Sequence, residues 1–156
     1  AESMDAGIVD RYADREGLFW QIARGELARP PAADTLGWEL LAVDPDAGTI
    51  EVAVAATTAF LNPAGTVQGG FLAAMLDDTL GPALVATLPG HEFAPTLDLQ
   101  VQFHRPARPG RIVGHGRIVR RTRNIAFLAG ELTDDQGSVL ATASATAAVR
   151  PLARRT

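Results

Sequence analysis

The sequence predicts an α+β layer fold, one long helix packed on an antiparallel sheet, and three features predict it. Residues 69–84 carry Leu72, Met75, Leu76, Thr79, Leu80 and Leu84, apolar over most of a helical circumference, so this helix is read as buried. Two stretches before it and four after it alternate between apolar and polar side chains, the period of a strand with one covered face. The connections between neighbouring strands are short and rich in Gly, Pro and Asp, which requires antiparallel pairing.

Taken in order, residues 8–28 read as one amphipathic helix. Ile8, Tyr12, Leu18, Phe19 and Ile22 form the apolar side, and Asp10, Arg11, Asp14 and Arg15 face water. Gly17 and Gly25 weaken it, and Pro30-Pro31 ends it. Its expected role is to cover one edge of the domain. Residues 36–43 and 49–57 form a hairpin through Asp44-Pro45-Asp46-Ala47-Gly48, with Ile50, Val52 and Val54 inward and Glu51 outward. The stretch Asn62-Pro63-Ala64-Gly65-Thr66-Val67-Gln68-Gly69-Gly70 then opens into the buried helix. Pro82 is expected to kink that helix or end its regular part near Gly81, and Leu88-Pro89-Gly90 closes it. Strands follow at 96–105, 111–121, 124–133 and 138–149, the last small and Ala-rich. The segment from Arg150 is expected to fray. The division is therefore 1–35 for an N-terminal helix and linker, 36–150 for the domain and 151–156 for the tail.

Composition removes many chemistries. With 156 residues and 47% hydrophobic content the chain builds one core, small enough for dimerisation to help. No apolar run reaches the roughly 18 residues a membrane span needs, and no basic-then-apolar leader opens the chain, so an intracellular, cytoplasmic protein is expected. There is no Cys and no Lys, all 14 basic residues being Arg, which excludes disulfides, thiolate nucleophiles, Schiff-base lysines and phosphate-loop lysines. The three serines, Ser3, Ser138 and Ser144, lie in no G-x-S-x-G elbow. His91, His104 and His115 have no metal-binding spacing, so neither a metal nor a cofactor is expected. A hydrolase built from this inventory would work through a carboxylate.

Charge is uneven. Residues 1–98 hold 4 Arg against 15 acids, whereas residues 99–156 hold 10 Arg against 3, and seven of those Arg fall between Arg105 and Arg123. That stretch is either a solvated strand face or a site for a phosphorylated ligand. Nucleic acid is not expected, because the net charge is −4 and no aromatics interleave with the Arg.

The loop and helix at 62–81 carry the functional argument. Gly69-Gly70 leaves bare N–H groups at a helix start, where the macrodipole favours negative charge. At about 1.5 Å rise per residue, Asp77 lies roughly 10 Å beyond Gly70, too far for both to act on one small group within one helix. Asp77 is expected to be buried, since Leu76 and Leu80 flank it, and Asp78 to be the solvated or hydrogen-bonded member of the pair.

The order of elements from 36 to 149 resembles the hotdog fold, and the loop is similar to that of the phenylacetic acid degradation type of acyl-CoA thioesterase, within the 4-hydroxybenzoyl-CoA thioesterase group. That pattern is an Asn, a His-Gly-Gly, and an acid seven residues after the last Gly. Asn62, Gly69, Gly70 and Asp77 match it, whereas Gln68 stands where the family has His. The Pro106-Ala107-Arg108-Pro109-Gly110 turn and the basic stretch after it also fit. The resemblance implies a homodimer or tetramer, with Asp77 of one protomer approaching Gly69 and Gly70 of another. In that scheme the Gly69 N–H polarises the thioester carbonyl, Asn62 orients the carbonyl or a water, and Asp77 is general base or nucleophile. Thr96 holds the water, and Gln68 and Gly70 border the substrate. Arg108, Arg121 and Arg123 meet the coenzyme A phosphates. Gln can hydrogen-bond but carries no proton between pH 5 and 8. A non-catalytic acyl-CoA-binding module is therefore the alternative, followed by an enoyl-CoA hydratase or dehydratase. The latter pairs Asp with a His a few residues on, which neither Asp77 nor Asp98 has.

Overall fold

A computed structural model describes residues 4–152. Six strands, β1 (Glu39–Asp44), β2 (Thr49–Ala56), β4 (Thr96–Phe103), β5 (Gly110–Arg121), β6 (Ile125–Thr133) and β7 (Val139–Ala148), form one sheet in the order β1-β2-β5-β6-β7-β4. Every pairing in it is antiparallel. Helix α4 (Gly69–Val85) lies across its concave face, which is the hotdog arrangement. Alternation along the strands explains that face: Ile50, Val52, Val54, Ile112, Leu128 and Leu132 are all buried against or beside the helix.

The helix comes close because the sheet beneath it is stripped of side chains. Gly114, Gly116 and Gly130 stand in adjacent strands under α4; a Cβ on Gly114 would collide with the Thr79 hydroxyl, and one on Gly130 would lie 2.7 Å from Leu80 Cδ2. Ala141, Ala143, Ala145 and Ala147 continue the shallow floor along β7, which accounts for that strand's composition. Thr79 is fully buried there, its hydroxyl donating to the Met75 carbonyl at 2.8 Å.

Of the two outcomes expected of Pro82, ending the helix does not occur; α4 runs on to Val85 with Pro82 inside it. Proline lacks the N–H that would meet the carbonyl four residues back, that of Asp78. Trp38 supplies the replacement, its indole N–H donating to the Asp78 main-chain oxygen at 2.8 Å.

The N-terminal region also departs from the expected single helix at 8–28. It forms α1 (Met4–Arg11) and α2 (Leu18–Ala23), separated by residues 12–17, and α2 starts from Gly17, whose φ of 118° is closed to ordinary residues. The break turns Phe19 and Trp20 into a second small core with Leu40, Ile50, Val52 and Ala83, and the Trp20 indole donates to the Ala86 carbonyl at 2.9 Å. Pro31 begins a helix instead of ending one: α3 (Pro31–Leu36) carries Pro31 at its first turn and closes on Gly37 at φ 62°, so the first strand starts three residues later than expected. The segment from Arg150 is not loose at its start. Arg150–Pro151 (β8) pairs with Glu92–Phe93 (β3), and the Leu152 N–H donates to the His91 carbonyl at 2.8 Å. Fraying expected at 153–156 lies outside the described residues. Among the described residues no helix is long and apolar enough to cross a membrane.

Candidate active site

The loop before α4 is held by its own first residue. Asn62 Oδ1 accepts from the Ala64 and Thr66 N–H groups at 3.0 and 3.1 Å, and its Nδ2 donates to the Thr66 hydroxyl at 3.0 Å. The Val67 N–H then reaches the Ala107 carbonyl and the Gln68 N–H the Phe60 carbonyl, at 2.9 and 2.8 Å. Phe60 stacks on Phe71 with ring centroids 4.2 Å apart, so the loop and the first turn of α4 move as one piece. Asn62 thus shapes the loop with most of its hydrogen-bonding capacity, and one amide hydrogen is left for anything else.

Gln68 is the N-cap of α4. Its carbonyl accepts from the Phe71 and Leu72 N–H groups, while its side chain makes no capping bond and is exposed. The Gly69 and Gly70 N–H groups have no acceptor among the described residues, and no acid occupies the first turn to absorb the positive end of the dipole. The two glycines differ. A Cβ on Gly69 would sit 2.9 Å from Phe103 Cζ, whereas one on Gly70 would meet nothing within 4 Å. Phe103 covering Gly69 is a contact that local periodicity could not announce, since the two residues are brought together only by the packing of β4 on the start of α4.

Two turns along, the Thr96 hydroxyl donates to Asp77 Oδ1 at 3.1 Å. Asp77 and Gly69 are separated by about 12 Å of helix, at about 1.5 Å per residue, so one chain does not bring them together. The expected burial of the two acids is reversed. Asp77 is exposed in the single chain, and Asp78 is the half-buried one, with Oδ2 buried and lacking a partner among the described residues. Consecutive helical residues point about 100° apart, and tertiary packing alone decides which of two adjacent acids is covered. Burial, reinforced by the Asp77 charge and opposed by the Arg29 guanidinium, pushes the Asp78 carboxyl up from 3.8 to about 6.

A raised carboxyl in the folded state binds protons that the unfolded chain has released, so stability falls as pH rises from about 3.8 to about 6. Asp78→Asn removes that penalty. Discounted for partial solvent screening, the gain above pH 7 is about 1–2 kcal/mol, or roughly 3–6 °C in Tm. Thermal unfolding of both proteins at pH 4 and pH 8 checks this; the difference should vanish at the lower pH.

The three arginines expected to act together are split. Arg108 is on the turn beside the Gly69 loop, which Val67 joins through Ala107. Arg121 and Arg123 are at the far end of β5, on the order of 35 Å away at about 3.3 Å per residue. The register Thr96–Ala147–Ala126–Arg121 across β4, β7, β6 and β5 puts that far end level with Asp77 and Thr96. All three arginines are exposed. His104 bonds Thr142 at 2.9 Å, and His115 pairs across strands with Glu51 and Glu131, away from the Gly69 loop. Among the described residues no group of three His, Cys, Asp or Glu is placed to hold a metal ion.

Residues 64–141 match the model of the thioesterase superfamily. Among solved structures, a phenylacetic acid degradation-related protein from Ralstonia eutropha JMP134 superposes with TM-score 0.81 at 46% identity, covering 83% of this chain and 98% of its own. A thioesterase from Haemophilus influenzae superposes with TM-score 0.75 at 20% identity, over 85% of this chain and 92% of that one. The PaaI protein of the E. coli phenylacetic acid degradation operon gives 0.74 at 19% identity, over 83% and 91%. These last two share the fold. No curated protein matches the chain.

Proposed function

The chain belongs to the thioesterase superfamily and is a thioester hydrolase; from that premise we propose that it hydrolyses acyl- or aryl-CoA thioesters at sites shared between two protomers. One observation carries the reading. The free Gly69 and Gly70 N–H groups at the start of α4 and the Asp77 carboxylate at its middle lie at opposite ends of β4, an edge of the sheet unpaired among the described residues. Leu97 and Phe103 on that strand are 53% and 56% exposed, an apolar edge that favours pairing with another strand.

In an antiparallel pairing of two β4 strands about a point between Leu99 and Gln100, Thr96 of one protomer stands opposite Phe103 of the other. Asp77, bonded to Thr96, then faces Gly69 under Phe103 of the partner protomer, and each dimer has two such sites. There the Gly69 N–H polarises the thioester carbonyl with the dipole of α4 behind it. Charge stabilisation of this kind contributes on the order of 3–4 kcal/mol per donor. Asp77 takes a proton from a water that adds to the carbonyl, or adds its own carboxylate. In either case the C–S bond breaks and coenzyme A leaves as a thiolate that takes up a proton, giving the free acid or an acyl anhydride that water then opens to the acid and restored Asp77. Thr96 orients the carboxylate, Asn62 keeps the loop in shape and has one amide hydrogen for carbonyl or water, and Gln68 and Gly70 border the acyl group. The same pairing joins the Arg108 end of one protomer to the Arg121 and Arg123 end of the other, where the phosphates of coenzyme A would meet both.

Release of free thiol from short, medium, long and aryl acyl-CoAs tests the function. Turnover on at least one class, saturable in the micromolar to millimolar range, is expected. Tight binding without thiol release on every class would instead identify a non-catalytic acyl-CoA module, the reading that Gln68 in the His position favours. A hydratase is not supported, since Thr96 and not a His touches Asp77.

A further inference from the structure

A half-open cavity of about 180 Å³ lies between α2, α3, β1 and the face of α4 that carries Asp78 and Pro82. Its walls are hydrocarbon from Phe19, Ile22, Ala33 and Leu40, and its polar groups include Asp78 and Arg29. None of the proposed catalytic or CoA-binding residues lines it, and it is complete within one chain. A dry cavity of about 150 Å³ accommodates benzene, so this one has room for a single ring with one substituent.

Arg29 and the Trp38 indole already have partners. Arg29 gives its Nε to Asp34 Oδ1 at 3.1 Å and a terminal nitrogen to the Trp38 carbonyl, and the Trp38 indole is used on the Asp78 main chain. Asp78 Oδ2 is buried with no donor among the described residues. Enclosed as Oδ2 is, the carboxylate meets the cavity through its less buried side, and with no hydrogen bond to either oxygen among the described residues it costs free energy until a donor arrives. Asp77 beside it adds negative charge, and Asp34 neutralises much of what Arg29 offers. The missing partner is therefore a cation with N–H donors and an apolar body.

We propose that this cavity binds a small primary ammonium compound, its nitrogen on the Asp78 carboxylate and its hydrocarbon, up to one aromatic ring, against Phe19, Ile22 and Leu40. The site is independent of the thioesterase reading and needs no second protomer.

Titration of the whole protein with benzylamine at pH 7.5, followed by calorimetry or amide NMR shifts, tests the assignment, with benzyl alcohol as the neutral match in shape. One benzylamine per chain with a Kd at or below about 1 mM is expected, and benzyl alcohol should bind at least about tenfold more weakly. Asp78→Asn should weaken benzylamine at least about tenfold. Ala33→Leu, which fills the cavity, should abolish binding in a protein shown to be folded by its thermal transition. Absence of saturable benzylamine binding, equal binding of the alcohol, or undiminished amine binding in both variants would overturn the assignment.

Discussion

Asp77→Asn lowers kcat for thioester hydrolysis by on the order of 10³-fold and leaves KM within a few-fold, because the lost group acts on the transition state. The substitution keeps size and shape, and Asn can still accept the Thr96 hydroxyl hydrogen bond seen at 3.1 Å. Asp77 is exposed in the single chain, so its removal should change stability by no more than about 0.5 kcal/mol. The adjacent Asp78→Asn gives the opposite pattern, a stabler protein that retains turnover. The contrast separates chemistry from folding at neighbouring positions. A neutral Gln68 also means that no group at the family His position titrates near pH 6.5. Steady-state kinetics of both variants, with thermal unfolding alongside, check this.

Gly69→Val has a comparably large effect for a steric reason. Its Cβ would enter at 2.9 Å from the Phe103 ring, and the branch adds two more carbons where a carbonyl must reach the N–H. The ring has to move or the first turn of α4 has to tilt. Either change misaims the donor, and a loss on the order of 10²–10³ in kcat is expected. Gly70→Ala is the control: its Cβ meets nothing within 4 Å, so turnover and stability should stay close to wild type.

Much of this arrangement was legible in the sequence because it depends on local period and spacing. The six sheet strands follow from side-chain alternation, the existence and burial of α4 from its apolar period, and the separation of Gly69 from Asp77 from helical rise alone. Readings failed where a single backbone angle or a distant contact decides. The N-terminal helix stops at Arg11 and restarts at Gly17 through a φ that composition does not announce, and the Trp38 indole compensates for Pro82 from 44 residues away. Pro31 and Gly37 bracket α3 in the usual order of helix start and stop, a signal that was available and outweighed by reading Pro30-Pro31 as a terminator. Which of Asp77 and Asp78 is covered was not legible, since it depends on what packs against each side of α4. Nor does the sequence show that the 12-residue strand β5 sets Arg108 apart from Arg121 and Arg123 within one chain. The pairing of β3 with β8 involves two residues on each side, too short for any periodic signal.

The central claim is that each catalytic site takes Asp77 from one protomer and Gly69 from another. Mixing the inactive Asp77→Asn and Gly69→Val proteins, with exchange of protomers verified by differently tagged chains, tests it most directly. A shared site predicts that each heterodimer regains one intact site of its two. Equal mixing with random exchange then restores about a quarter of wild-type turnover, each transition-state defect being confined to the other site. A verified heterodimer with no activity above that of the two parents would show that the site lies within a single chain and contradict the account.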